Sequence, residues 1–276
     1  MPHHTLVRFR IYAIPCAEIS VRIDSLLRFP PKENEKEFAR QTFTKGFREA
    51  FRWSDGSTSY AVSIPVIMWY VEGDSGKFIV DTSLRKRKYS EGGEEPHVKR
   101  ERLIENSLSK VGVRTEEIDY VINTHLHTDH AGNNLLFKNA NFVVQKKEIP
   151  FALTPSPWTP YYSAKQSEWL NTHSKRLVIV DGDAVLAEGV RVYRLGGHTP
   201  GSQAVIIGNG ESKVGIAGDV VPTFFNLENR WPTGSFWCLD EVLSGMNRLR
   251  TECATVLPSH DWELWERYPS GTVSCS

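Results

Sequence analysis

Three histidines and one aspartate fall within six residues, His125-Leu126-His127-Thr128-Asp129-His130, and this run limits what the chain can become. Imidazole and carboxylate at that density are enough to begin two adjacent metal sites. The preceding segment, Ile118-Asp119-Tyr120-Val121-Ile122-Asn123, reads as a buried strand, and Ala131-Gly132-Asn133-Asn134 reads as a turn into a helix. Ligands at a strand's C-terminal end rest on a rigid element and face a cleft. Open α/β sheets place their chemistry there.

Three more candidate ligands each follow an apolar run. His198 follows Leu195-Gly196-Gly197, Asp219 follows Ile216-Ala217-Gly218, and His260 follows Leu257-Pro258-Ser259. The glycines suggest a backbone passing too close to a metal to carry side chains. A set of imidazoles and carboxylates without thiolate suits zinc, and also iron or manganese. Two dications a few ångströms apart would share one water and lower its pKa towards neutrality. No Gly-x-Ser-x-Gly elbow and no P-loop accompanies them.

The apolar spacing predicts a mixed architecture. Arg8 to Ile14 alternates as a half-buried strand, and Ile64 to Val71 with Lys77 to Asp81 forms a hairpin about the Glu72-Gly73-Asp74-Ser75-Gly76 turn. Val98 to Val111 has helical spacing, with Gly112 as its cap and a short turn at Thr115. Strands are expected at Asn141 to Gln145, Arg176 to Val180, Val190 to Leu195, Ala204 to Gly208, Val214 to Ala217 and Thr255 to Pro258, and a helix at Asp240 to Thr251. Strict βαβ alternation is missing. An α/β fold of two mixed sheets packed face to face, with helices outside, accounts for the order. Residues 1–276 are read as one domain. Segments 31–60 and 149–173, rich in aromatics, are expected to be lids, substrate walls or loops packed on the core.

Charge narrows the partners. Lys+Arg and Asp+Glu both total 33, which leaves no net field to draw in nucleic acid or a membrane surface. The basic stretch Arg85-Lys86-Arg87-Lys88 is followed by Glu91, Glu94 and Glu95 and reads as a solvated face. Cys16, Cys238, Cys253 and Cys275 are scattered, so neither a disulfide framework nor a cysteine zinc knuckle is indicated. His3 and His4 read as solvated imidazoles on a mobile terminus. No signal peptide or spanning segment is evident, so a cytoplasmic location is expected.

This order of ligands resembles the metallo-β-lactamase superfamily, whose pattern is HxHxDH, then a single His, an Asp and a final His. The resemblance runs from about Ile64 to His260. It implies an αββα sandwich and two zinc ions: His125, His127 and His198 on the first, Asp129, His130 and His260 on the second, with Asp219 bridging. It also implies that Asp81 supports the ligands from behind. Attack by a hydroxide shared between the metals would follow, with Asp129 orienting it or moving its proton.

Within that superfamily the layout is most similar to the N-acyl-homoserine lactonase group, which implies opening of a cyclic ester. Those lactonases commonly carry a tyrosine three residues after the bridging Asp, where this chain has Pro222. An oxyanion donor would have to come from elsewhere, from Tyr161 or Tyr162, or be omitted in favour of the metal, with Phe224 as a further substrate contact. A thioester hydrolase of glyoxalase II type would favour clustered cations, but only the scattered Arg248, Arg250 and Arg267 occur near the C-terminus. A cyclic amide hydrolase and a non-catalytic metal-binding scaffold are the other readings. The aromatic loops and Trp231 to Trp237 leave room for a homodimer.

Overall fold

A computed structural model describes residues 8–53, 55–84, 100–156, 161–163 and 166–275. His3 and His4, the stretch from Arg85 to Glu95, and Trp158 lie outside them. The first sheet contains β1 (Phe9–Val21), β2 (Phe47–Arg52), β3 (Thr58–Gly73), β4 (Gly76–Val80), β5 (Tyr120–Ile122), β6 (Asn141–Gln145) and β7 (Leu177–Val180). The second contains β8 (Ala184–Ala187), β9 (Val190–Arg194), β10 (Gln203–Ile207), β11 (Val214–Ile216) and β12 (Thr255–Leu257). A last strand, β13 (Thr272–Cys275), returns to the edge of the first sheet beside β1. Spatial order is β13-β1-β3-β4-β5-β6-β7, with β2 also on β3, and β12-β11-β10-β9-β8. Both sheets are mixed: β4 to β7 run parallel, as do β11 and β12, while the other pairs are antiparallel.

The continuous apolar runs are explained by burial on both faces. In β3, Ile67, Trp69 and Val71 point between the sheets, while Met68 and Tyr70 point outward. Phe78 and Val80 against Ile79 in β4, and Ile122 against Val121 in β5, alternate in the same way. The second sheet mirrors this, with Val192, Val205 and Ile207 facing inward and Tyr193, Ala204 and Ile206 outward.

The helices, in chain order, are α1 (Ile23–Leu26), α2 (Glu35–Thr42), α3 (Arg100–Lys110), α4 (Thr128–Ala131), α5 (Ile149–Leu153), α6 (Trp169–Thr172), α7 (Phe224–Asn229) and α8 (Leu239–Glu252), with a further turn at Leu264–Arg267. Ile104 and Leu108 of α3 and Trp169 and Leu170 of α6 cover the outer face of the first sheet. Met246 and Leu249 of α8 cover that of the second. The layers are therefore helix, sheet, sheet, helix, as expected. Among the described residues no helix is long and apolar enough to cross a membrane.

Several local expectations are corrected. Residues 31–60 contain α2 and β2, and Phe43, Phe47 and Tyr60 pack with Phe225 and Trp231 on a small core of their own. Trp53 is buried, its Nε1 donating to Ser59 Oγ at 2.6 Å. Trp231 belongs to this core and donates to the Arg28 carbonyl at 2.6 Å, whereas Trp237 stays exposed against Phe151. Strands β2, β8 and β13 give little periodic signal because each is short and partly exposed. The first strand extends to Val21, well past Ile14, with a bulge between Pro15 and Ala17.

Candidate metal centre

Each candidate ligand leaves a strand end on the same side of the sandwich. His125 follows β5, His198 follows β9, Asp219 follows β11, His260 follows β12, and Asp81 follows β4. The helix after β5 begins earlier than expected, at Thr128 and inside the motif. His127 is extended (φ −62°, ψ 156°) and Asp129 and His130 ride the helical turn. That break in conformation divides the run: His125 and His127 face His198, while Asp129 and His130 face His260.

The imidazole tautomers follow from their partners. Nδ1 of His130 meets Asp81 Oδ2 at 2.7 Å, Nδ1 of His198 the Ser235 carbonyl at 2.7 Å, and Nδ1 of His260 the Pro65 carbonyl at 2.8 Å. None of those oxygens can donate, so each Nδ1 carries the proton. Thr124 Oγ1 donates to Asp81 Oδ2 at 2.7 Å and is left to accept from His125 Nδ1 at 3.1 Å. In the neutral form of these rings four Nε2 atoms are thereby left as lone pairs turned inward. His125 Nε2 and His198 Nε2 lie 3.0 and 3.1 Å from His127 Nδ1, and His130 Nε2 is buried with no hydrogen-bond partner. Lone pairs converging in a buried space with one orphan among them fit a cation.

Asp219 spans the two groups. Its Oδ1 lies 3.2 Å from His130 Nε2 and 3.1 Å from His260 Nε2, and its Oδ2 lies 3.5 Å from His198 Nε2. Ser259 Oγ donates to Oδ1 at 2.7 Å and steadies it. Asp129 Oδ2 stands 3.6 Å from His130 Nε2 and 3.9 Å from His260 Nε2. Among the described residues three sets could hold an ion: His125, His127 and His198; Asp129, His130 and His260; and His125, His130 and Asp219, which links the first two.

Electrostatics agree with a demand for positive charge. Burial and the neighbouring imidazoles push His125 and His127 well below the usual histidine pKa. Burial opposes charge on His130 too, yet Asp219, Asp129 and Asp81 together outweigh it and raise that pKa well above normal. His260 is raised as well, since Asp219 overcomes its desolvation. Burial disfavours an ionised Asp219, but His130, His260 and His198 hold its pKa well below the carboxylate range. Protons are drawn to the positions where a dication would supply the same charge.

Asp81 lies behind the cluster. It takes Thr124 N on Oδ1 at 2.8 Å and Thr124 Oγ1 and His130 Nδ1 on Oδ2, from a left-handed backbone (φ 58°) unusual for a residue with a side chain. Asp81→Asn replaces one acceptor oxygen by a donor and removes the charge behind His130. We expect metal affinity to fall about 10–100-fold with little change in secondary structure. Isothermal titration of the apoprotein and circular dichroism check this, and unchanged affinity would deny Asp81 the role.

The glycines serve protein packing more than metal approach. A Cβ on Gly218 (φ 56°) would lie 2.8 Å from Thr124 Cβ, and one on Gly197 (φ 86°) 2.5 Å from the Val242 amide nitrogen. Both combine a left-handed conformation with a neighbour that cannot retreat.

A cavity of about 130 Å³ opens over these side chains. Its floor includes His127, Asp129, His198, Asp219 and His260, and its walls include Ile19, Val21, Leu26, Ile64, Leu84 and Tyr161. Tyr161 lines the cavity. Tyr162 and Phe224 do not. Tyr162 is buried behind His127, ring centroids 4.6 Å apart, with its hydroxyl on Glu148. Phe224 is buried beneath the Arg267 guanidinium. No described residue of segment 31–60 contributes to this lining, and Pro222 sits in the wall. The walls from β1, α1 and residues 233–235 went unnoticed in the sequence. The apolar spacing of Ile19 and Val21 was their only local trace.

Comparison with known proteins agrees with the geometry. The sequence profile of the Metallo-beta-lactamase superfamily matches residues 64–260, more than half of the chain. An N-acyl homoserine lactonase from Bacillus sp is 30% identical over 200 residues, covering 68% of this chain and 76% of that protein. The N-acyl homoserine lactonase AttM of Rhizobium radiobacter is 25% identical over 176 residues, covering 59% and 65%. Among solved structures, a quorum-quenching N-acyl homoserine lactone lactonase superposes with a TM-score of 0.69 at 23% identity, covering 94% of each chain. AidC, a dizinc quorum-quenching lactonase in complex with a product, superposes at 0.66 and 17% identity over 93% of this chain and 88% of its own. With its ligand order, its two mixed sheets and this match, the chain belongs to the metallo-β-lactamase superfamily and resembles the N-acyl homoserine lactonase group within it.

Proposed function

We propose that this metal-dependent hydrolase opens lactone rings, using two metal ions. The observation that carries the reading is the cavity: a floor of inward lone pairs under neutral, largely apolar walls. His125, His127 and His198 would hold one ion and Asp129, His130 and His260 the other, with Asp219 as a ligand available to both. Zinc suits this donor set, as do iron and manganese. Bound metals of this kind lower the pKa of water and polarise a carbonyl.

The chain's own groups account for the rest. Asp129 is the ligand side chain most open to the cavity, at 19% exposure against 14% for Asp219 and 7% or less for the histidines. Its carboxylate accepts a proton from the attacking water and returns it to the ring oxygen as the carbonyl–oxygen bond breaks. Water adds across one ester bond and a hydroxy acid results. With Pro222 where the related lactonases commonly have a tyrosine, Tyr161 is the phenol on the cavity wall that can meet the substrate carbonyl.

Charge separates this reading from a thioester hydrolase with an anionic substrate. No Lys or Arg lines the cavity among the described residues. Arg248 is paired with Asp183 and Glu252, and Arg267 with Glu228 and Glu263. The curated relatives named for homoserine lactones support a neutral acyl lactone as substrate.

Metal-loaded protein should hydrolyse five-membered N-acyl lactones at least about tenfold faster in kcat/KM than matched linear esters, thioesters, cyclic amides or phosphodiesters, a gap of roughly 1.4 kcal/mol. Equal or slower lactone rates would reject the lactone. Full metal occupancy without turnover of any of them would point to a binding scaffold.

A further inference from the structure

Glu148 lies at the start of α5, 1% exposed, with no basic partner among the ion pairs of the described residues. A carboxylate so placed needs hydrogen-bond donors to offset its lost hydration. It has four. Oε2 accepts from the Leu126 amide at 3.0 Å and the Tyr162 hydroxyl at 2.8 Å. Oε1 accepts from Thr199 Oγ1 at 2.5 Å and the Gly201 amide at 2.9 Å. All four lone-pair directions of the group are in use.

The donors are what single it out. Leu126 stands between His125 and His127, Thr199 directly follows His198, and Tyr162 presses its ring on His127. Three segments remote in sequence meet on one carboxylate, and each borders a ligand of the three-histidine group. None borders His260 or Asp219. Gly201 is placed so closely that a Cβ there would lie 2.9 Å from the Glu148 amide nitrogen, which leaves the approach to glycine.

We propose that Glu148 is a positioning residue that joins the His125–His127 turn to the His198 turn and so sets the geometry of the three-histidine metal site. This rests on the two-metal reading above. Core glutamates that merely satisfy their neighbours loosen a fold when removed; a positioning glutamate alters one metal site and spares the other.

Glu148→Gln turns one acceptor oxygen into a donor facing two donors. Zinc titration of the apoprotein against a chromophoric chelator should resolve two steps, assigned by His127→Ala and His260→Ala. We expect Glu148→Gln to weaken the three-histidine step about 10–100-fold and the other less than threefold, and the visible spectrum of cobalt at the first site to change. Tyr162→Phe removes a single donor and provides a folded variant in any case, with the same step expected to weaken about threefold to tenfold. Equal weakening of both steps, or wild-type affinity and cobalt spectrum in Tyr162→Phe, would overturn the proposal. Wild-type protein with no metal step at all would overturn the two-metal reading with it, whereas two normal steps indifferent to both variants would remove Glu148 alone.

Discussion

Asp219→Ala is expected to lower kcat/KM at least about a thousandfold, a loss of roughly 4 kcal/mol of transition-state stabilisation. This carboxylate is the group that approaches His130 and His260 with one oxygen and His198 with the other. Without it the proposed pair of ions loses its shared ligand, and the like charges of the two ions face each other with less between them. Metal content measured by elemental analysis should fall from two ions to one or fewer per chain. The fold should persist, because Asp219 is half-buried at a cavity floor and the two sheets pack beneath it. Asp219→Asn keeps the shape and discards the charge, so it should fail nearly as badly. An asparagine variant with most of its activity and both ions would reject the bridging role.

The largest loss of stability is expected at Trp69. This residue is 1% exposed, lies in β3 between β1 and β4, and faces the second sheet. Trp69→Ala removes an indole from the space between the layers, where neither sheet can collapse without breaking its ladder. A cost of about 4 kcal/mol follows, with the thermal midpoint lowered by roughly 10 °C. Chemical denaturation should show the midpoint moving while the slope stays constant, since the surface exposed on unfolding hardly changes. A cost below about 1 kcal/mol would mean that the inter-sheet layer is not packed around this ring. Trp69→Phe retains most of the apolar contact and should cost less than half as much.

Much of this was legible from residues. The apolar run from Ile64 to Val71 and the arm from Lys77 to Asp81 identified a hairpin of strands, and the helix ending before Gly112 lies where its apolar spacing put it. Each ligand position could be named because a strand followed by His or Asp is a local feature. The aromatic stretches were harder. Phe43, Phe47 and Tyr60 in one segment and Tyr162 in the other carry no periodic sign of whether they face substrate or core.

Spacing along the chain reports whether a side chain is buried and leaves open what it is buried against. The sequence alone therefore determined the strand periodicity, the set of candidate ligand residues and the layering of two sheets between helices. Only the tertiary structure decided how closely the candidate ligand atoms converge, that Tyr161 rather than Tyr162 reaches the cavity, and that Glu148 gathers donors from residues 126, 162, 199 and 201. The physical reason is reach. Hydrogen bonds and ion coordination act over about 3 Å, and pairs tens of residues apart come that close only after the sheets have paired.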